Sequence, residues 1–465
     1  MKRIAVFGAC APVGFGDALQ YYNLLNILSS KIENNNFSLT FLSPVLKKWL
    51  ITFKDLKLKH FWIDISYSPL LTIVRYKDNF IRKDDILKLH LHTGKFDAYN
   101  ENIKGMYKQA LVGLIRKNAR IFDSIENITS IPVFKLLYRH GFDAGIIGGH
   151  TLGGGGLYGY VQSYRAVSLM VKGPIVLAPT SLSLMGFKHS IELSGTLRPL
   201  LSRFEHIYVR GPYTLKLIKK LFGLSGNRVS MCLDSGFWHL LDPVLSQLVR
   251  RNRYTRKERI RVLIYPRKDF FYAYNKNTVY SHYLYCLKNL ITKLSKKYDC
   301  ELVIVPSTIN GNPFGAPKAV QDLVHVLKSN MSNYAENSIR VEKPRTLVES
   351  LRLFSSSDLV VTSYMHAGVM ALSAGVPAVF ILPKLDIKVL DVLRYLRLRK
   401  DEFFLDMFDT KLLRSENLFK KVQNVIENLE HYKKTVFYTV DKALQDAQRT
   451  INNIVKLMFG NGETT

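Results

Sequence analysis

Cysteine is scarce in this sequence: Cys10, Cys232, Cys286 and Cys300 are the only four in 465 residues, and no two form a CxxC pair. That spacing argues against a thiolate zinc site and against a disulfide framework. It leaves buried or semi-buried thiols of a reducing compartment as the expectation. Long apolar runs are lacking too. The longest, Ala371 to Leu382, is broken by Gly375 and Pro377 and falls short of the ~18 residues that suggest a membrane span. The N-terminus reads directly into the strand Arg3–Ala9 with no leader pattern, so a cytoplasmic protein is expected. Zinc-finger, RNP and heptad signatures are missing, so nothing favours nucleic acid and no nucleic-acid partner is expected. Acidic residues are few, 37 against 66 Lys plus Arg, for a formal charge of +29. Such a field attracts anions, either phosphorylated substrates or an acidic membrane face. A generally basic, Lys/Asn/Ile-rich proteome gives the same excess with no partner implied.

What is present is ordinary globular material: 47% apolar and 22% charged residues. The length exceeds what one core usually serves, so two domains are expected. Residues 1–250 alternate strand and helix: strand Arg3–Ala9, helix Asp17–Ile32, strands Ser38–Ser43, Asp143–Ile147, Ile175–Ala178, His206–Val209 and Val229–Leu233. Between them, about 45–135 reads as a basic, aromatic insertion without clear periodicity. The charge run Arg250–Arg259 reads as a linker. A second α/β series then fills 260–440: strand Ile260–Tyr265, helix Thr278–Tyr298, strand Glu301–Val305, helix Lys318–Lys328, strand Asp358–Thr362, helix Tyr364–Ala374 and strand Ala378–Leu382. Residues 441–465 are expected as a closing helix and tail. Such alternation implies a parallel sheet in each half.

In parallel sheets, ligands gather at the carboxyl ends of strands and at helix N-termini, and the notable residues sit there. Gly14-Phe-Gly-Asp17 opens the first helix; Gly16 permits close backbone approach, and Asp17 either caps the helix or meets a ligand. It is not a full GxGxxG, so no dinucleotide follows. Gly148, Gly149 and His150, then Gly153 to Gly156, put six glycines into nine residues. That density suits a loop passing close to a ligand, or a flexible connector. Arg210 ends a strand and can offer its planar fork to phosphate or carboxylate. Asp234 has similar placement, or only turns the chain before Ser235-Gly236. Ser363 is expected to cap the helix that follows it. His366, in that helix's first turn, is the strongest candidate for an acid/base group, because an imidazole exchanges protons near pH 7.

In this order, Gly14-Phe-Gly-Asp17, Ile146-Ile-Gly-Gly149, Val209-Arg210, Asp234 and Ser363-Tyr-Met-His-Ala367 with Gly375-Val-Pro377 resemble the polysaccharide pyruvyl transferase family. The resemblance spans roughly Arg3 to Leu382. It implies an α/β fold of two Rossmann-like domains whose parallel sheets face a cleft, as in GT-B-type glycosyltransferases. It also implies phosphoenolpyruvate as donor substrate, a sugar of a polysaccharide, glycolipid or lipid-linked precursor as acceptor, and no cofactor or metal. By motif, Arg210 and His366 look like the family's donor-site arginine and histidine, and Asp17 like its N-terminal acidic residue. One position departs: the family's arginine two residues before the histidine is Tyr364 here. Lys384 or Lys388 takes the place of a downstream family lysine. Two other readings stay open, a nucleotide-sugar glycosyltransferase with Glu342 or Glu349 facing the ribose, and a non-catalytic glycan- or anion-binding relative.

Overall fold

The computed structural model describes residues 2–7, 15–30, 37–42, 62–63, 141–148, 151–152, most of 164–182, 194–224, 226–250, 259–273, 276–306, 316–328 and 339–460. The stretch 45–135, read from the sequence as an insertion, lies outside them apart from 62–63, together with Cys10, Gly149, His150 and Gly153 to Gly156.

The N-terminal sheet comprises β1 (Lys2–Phe7), β2 (Phe37–Leu42), β3 (Trp62–Ile63), β4 (Ala144–Ile147), β6 (Ile175–Leu182), β7 (His206–Val209) and β8 (Val229–Met231), with β5 (Thr151–Leu152) paired to β6. Its order is β3-β2-β1-β4-β6-β7-β8, and the pairings are parallel. The second sheet runs β11 (Ile339–Val341), β10 (Cys300–Ile304), β9 (Ile260–Tyr265), β12 (Leu359–Thr362), β13 (Ala378–Leu382) and β14 (Phe404–Asp406), again parallel. In each sheet the order reverses beside the first strand, between β1 and β4 and between β9 and β12. That is the Rossmann pattern, and the crevice outside the carboxyl ends at each reversal is where ligands bind. β6, β12 and β13 are buried along their whole length, as expected of parallel strands covered on both faces.

Seven helices matter for the site: α1 (Phe15–Ser30), α2 (Pro212–Phe222), α3 (Asn277–Lys297), α4 (Leu347–Ser355), α5 (Met365–Ser373), α6 (Ile387–Tyr395) and α7 (Leu429–Phe459). One apolar cluster joins the halves, from Ile4, Val6 and Leu19 through Trp238 to Val360, Val369, Val436 and Met458. α7 runs unbroken through 440/441, where the sequence suggested a division, and reaches back to β4 and β6. Its buried stripe, Val436, Val440, Ala443, Ala447, Ile451 and Met458, explains the continuity: the helical period never lapses. Cys232, Cys286 and Cys300 are buried free thiols.

Two buried groups tie the lobes together. Asp391 of α6 is fully buried and caps α2: its Oδ1 accepts from Tyr213 N–H at 2.8 Å, and its Oδ2 from Thr214 Oγ1 at 2.5 Å. A Cβ on Gly211 would come within 2.6 Å of Asp391, so only glycine allows the approach. Burial lifts the Asp391 carboxyl to about 6, against the pull of Thr214, two backbone N–H groups and Arg210. His239, in the 3-10 turn Ser235–Leu241, donates from Nδ1 to Gly236 O at 2.9 Å and has Nε2 3.3 Å from Ser373 Oγ of α5. Burial takes that imidazole down to about 4, opposed by its bond to Gly236.

These two groups tilt stability in opposite directions over one pH window. The unfolded chain protonates histidine near ~6.5, before folded His239 does, so this contribution is lost as pH falls from ~6.5 towards 4. Folded Asp391 takes its proton before the unfolded chain does at ~3.9, so its penalty is relieved as pH falls from about 6. Each is worth up to about 3 kcal/mol. Asp391→Asn deletes the relieving contribution, so its melting temperature is expected to drop more steeply than wild type between about pH 6.5 and 4. A slope no steeper than wild type would contradict this assignment.

Candidate functional site

β7 delivers Arg210 at its carboxyl end, with a side chain 1% exposed. Burial at this depth demands a counter-charge, and Asp234 supplies it: Arg210 Nε lies 2.7 Å from Asp234 Oδ2. The same Nε is 3.0 Å from Pro179 O, and Nη2 donates to Gln20 Oε1 at 3.1 Å. Among the described residues Nη1 has no hydrogen-bond partner. The fork therefore faces the protein's own Asp234 and Gln20, with one nitrogen left over, rather than open space. Asp234 does turn the chain, since its Oδ1 accepts from Gly236 N–H at 2.7 Å, but it also accepts from Gln20 Nε2 at 2.7 Å.

The second lobe contributes His366. α5 begins at Met365, so the ring sits in its first turn, half-buried, with Nε2 3.3 Å from Gln20 Nε2. The imidazole is thus one side chain away from Arg210, across the lobe boundary. Gln20 is the residue that sequence reasoning missed. It lies in α1, one turn after the Gly16-Asp17 pair, and is 1% exposed. Two buried amides, Gln20 and Asn23, in a mainly apolar helical stripe are the signal that could have revealed it.

Ser363 does not cap α5. The N-cap position is Tyr364, without a side-chain cap bond, and Ser363 Oγ instead pairs with Tyr283 OH of α3 at 2.7 Å. Thr362 Oγ1 holds Tyr364, accepting from its N–H at 2.9 Å and donating to its carbonyl at 3.0 Å. The Tyr364 ring lies 4.6 Å from the guanidinium of Arg267, which leaves the carboxyl end of β9. Arg267 also stacks on Phe270 at 3.5 Å and pairs bidentately with Asp269, both contacts at 2.6 Å. Burial works against its charge, yet Asp269, Tyr364 and Asp386 hold its pKa above the ordinary value. Burial pushes the Tyr364 phenol upward despite Arg267, so the ring stays neutral. A cation is therefore present at the β9/β12 reversal, supplied by residue 267 instead of 364. The strand-end reasoning used for Arg210 would have found it after Tyr265.

The remaining candidates separate. Asp17 and Gly16 lie inside the first turn of α1, which starts at Phe15, so Asp17 follows the helix start instead of preceding it; its side chain is outside the described residues. Gly148 donates its N–H to Phe7 O, and a Cβ there would meet the Tyr21 ring at 1.9 Å, so close packing of α1 explains this glycine. Lys384 is exposed, with its N–H bonded to Asp406 Oδ1 at 3.2 Å. Lys388 is 3.3 Å from Asp386, which is 1% exposed. Glu342 pairs with Arg261 at 2.5 Å, and Glu349 accepts from Arg345 N–H at 2.7 Å in a capping box with Thr346. Both glutamates thus have partners within their own lobe. Among the described residues no helix is long and apolar enough to cross a membrane.

The architecture and the strand-end position of the site define a GT-B-type enzyme fold of two Rossmann-like domains. Solved structures agree. A UDP-N-acetylglucosamine 2-epimerase has a TM-score of 0.54 at 10% identity, over 100% of this chain and 99% of its own. The UDP-GlcNAc 2-epimerase from Neisseria meningitidis has a TM-score of 0.52 at 12% identity, over 99% and 100%. The N-terminal domain of trehalose-6-phosphate phosphatase from Candida albicans has a TM-score of 0.52 at 11% identity, over 99% and 97%. No curated protein sequence matches the chain. The polysaccharide pyruvyl transferase family model matches residues 15–384, and the chain belongs to that enzyme family. The matched span takes in the candidate residues from Gly16 to Lys384; Lys388 falls beyond it.

Removing Asp234 strands a buried guanidinium. Asp234→Ala is expected to cost about 3–5 kcal/mol of unfolding free energy in denaturant titration. A loss below about 1 kcal/mol would mean that the pair is not a buried ion pair in solution.

Proposed function

We propose that this enzyme moves a pyruvyl group from phosphoenolpyruvate to a sugar of a polysaccharide or lipid-linked glycan, forming a ketal. The observation that carries the reading is the meeting of His366 from one lobe with Arg210, through Gln20, from the other. Phosphoenolpyruvate bears a phosphate and a carboxylate, and a pocket for it needs fixed positive charge. Arg267 and the N-terminus of α5 are the groups on offer, and Arg210 adds a buried charge held by Asp234. As the methylene carbon takes a proton, the adjacent carbon becomes electrophilic and the oxygen of a sugar hydroxyl closes on it. A second hydroxyl on the same sugar then displaces phosphate and closes the ketal, and His366 serves the proton movements. The scheme meets its charges with protein groups and calls for no cofactor or metal ion.

The excess of 66 basic over 37 acidic residues favours work in the cytoplasm against an anionic membrane face, where a lipid-linked acceptor would be met. Nucleotide-sugar chemistry is the weaker reading, because its ribose candidates Glu342 and Glu349 already hold the Arg261 guanidinium and the Arg345 N–H.

Purified protein incubated with phosphoenolpyruvate and candidate sugar acceptors is expected to release phosphate and ketal product together. His366→Ala should lower kcat by about 10²–10⁴ with little change in melting temperature. Arg267→Gln should raise the KM for phosphoenolpyruvate by about tenfold or more. Turnover of a nucleotide sugar, or full activity of His366→Ala, would reject the reading.

A further inference from the structure

Gln20 has no freedom in the orientation of its amide. Arg210 Nη2 approaches Gln20 Oε1 at 3.1 Å, and a guanidinium only donates. Asp234 Oδ1 approaches Gln20 Nε2 at 2.7 Å, and a carboxylate only accepts. Turning the amide over would oppose carbonyl to carboxylate and NH₂ to guanidinium, two repulsive pairs in a buried place. The nitrogen of Gln20 is therefore the atom that faces His366 Nε2, at 3.3 Å. An amide nitrogen offers protons and no lone pair.

We infer that His366 rests as a neutral imidazole with Nε2 bare and its proton on Nδ1, and that Gln20 is the positioning residue that imposes this tautomer. A free histidine side chain favours the other tautomer, so the preference is a property of the site. The ionic groups that the neighbouring strand ends bring to this region are paired: Arg210 with Asp234, Arg267 with Asp269, and Lys388 with Asp386.

The consequence, which rests on the pyruvyl-transfer reading, is an order of events. A neutral imidazole can give up its one proton only by becoming an anion, but it can accept one at Nε2 without difficulty. His366 thus acts as base before it acts as acid. The acceptor's O–H bond breaks and its proton goes to Nε2, in place of the long Gln20 contact. The imidazolium so formed then returns a proton to the methylene carbon of phosphoenolpyruvate; the C–H bond forms from the alkene π pair, while the hydroxyl oxygen's electron pair closes on the neighbouring carbon.

Nitrogen-15 NMR of the full chain labelled in histidine, with the resonance assigned by its loss in His366→Ala, tests the inference without any substrate. In wild type, Nε2 should show the shift of an unprotonated ring nitrogen and Nδ1 that of a protonated one. Gln20→Met, similar in length but without a donor, should lower the ratio of the Nδ1–H to the Nε2–H form by about tenfold. A protonated Nε2 in wild type overturns the inference, even should Gln20→Met fail to fold. An unchanged ratio in a folded Gln20→Met removes Gln20 from the role. Absence of phosphoenolpyruvate turnover would leave the tautomer result standing, so the two proposals fail separately.

Discussion

A guanidinium with 1% of its surface exposed needs an anion within reach, and the arrangement around Arg210 follows from that need. Asp234 provides the charge at 2.7 Å, and its other oxygen then collects donors from Gln20 and from the backbone of Gly236. The Gly236 bond starts the 3-10 turn Ser235–Leu241 at a fixed angle. That turn carries Phe237 and Trp238 into the shared core and sets His239 against Ser373 of α5. Charge compensation inside the N-terminal lobe thus determines where the helix bearing His366 can rest. An apolar replacement of the pair would leave Gln20 without its two orienting partners.

Both sheets reverse their strand order beside their first strand, and the functional groups gather at those two places. α1 follows β1 and brings Gln20; the chain after β9 brings Arg267; the chain after β12 brings Tyr364 and His366. Tyr364 in place of the family arginine does not empty the site of positive charge. Its neutral ring, held by Thr362, becomes one wall against which Arg267 lies, with Phe270 and Asp269 fixing the guanidinium further. The guanidinium beside Tyr364 is thus Arg267's, from the neighbouring strand end.

Much of the fold was legible because parallel strands and amphipathic helices leave strong periodic marks. His206–Val209, Ile260–Tyr265 and Ala378–Leu382 have the bounds that their apolar runs suggested, and β14 escaped because three residues carry no period. Arg210, Asp234 and His366 were legible as strand-end and helix-start residues. Gln20 was not, since its importance comes from partners 190 and 346 positions away, and local patterning holds no record of such pairs. Ser363 misled for a similar reason: a serine before a helix looks like a cap, but Tyr283 from α3 competes for its hydroxyl and wins. At Gly148 the Tyr21 ring fills the space a side chain would need, so packing alone already asks for a glycine there.

Of the four side chains joined at the site, Gln20, Arg210 and Asp234 belong to the N-terminal lobe and hold one another by contacts that each satisfy an obligate donor or an obligate acceptor. His366 alone comes from the other lobe. Its surroundings therefore depend on how the lobes meet, and those of the other three do not. The apolar cluster through Trp238 and the Asp391 cap on α2 fix that meeting on either side of the site. Both are sensitive to small changes in spacing, the first through packing and the second through the 2.6 Å approach at Gly211. The properties of the imidazole are in this sense set by the interface as a whole, while the charge beside it is set locally.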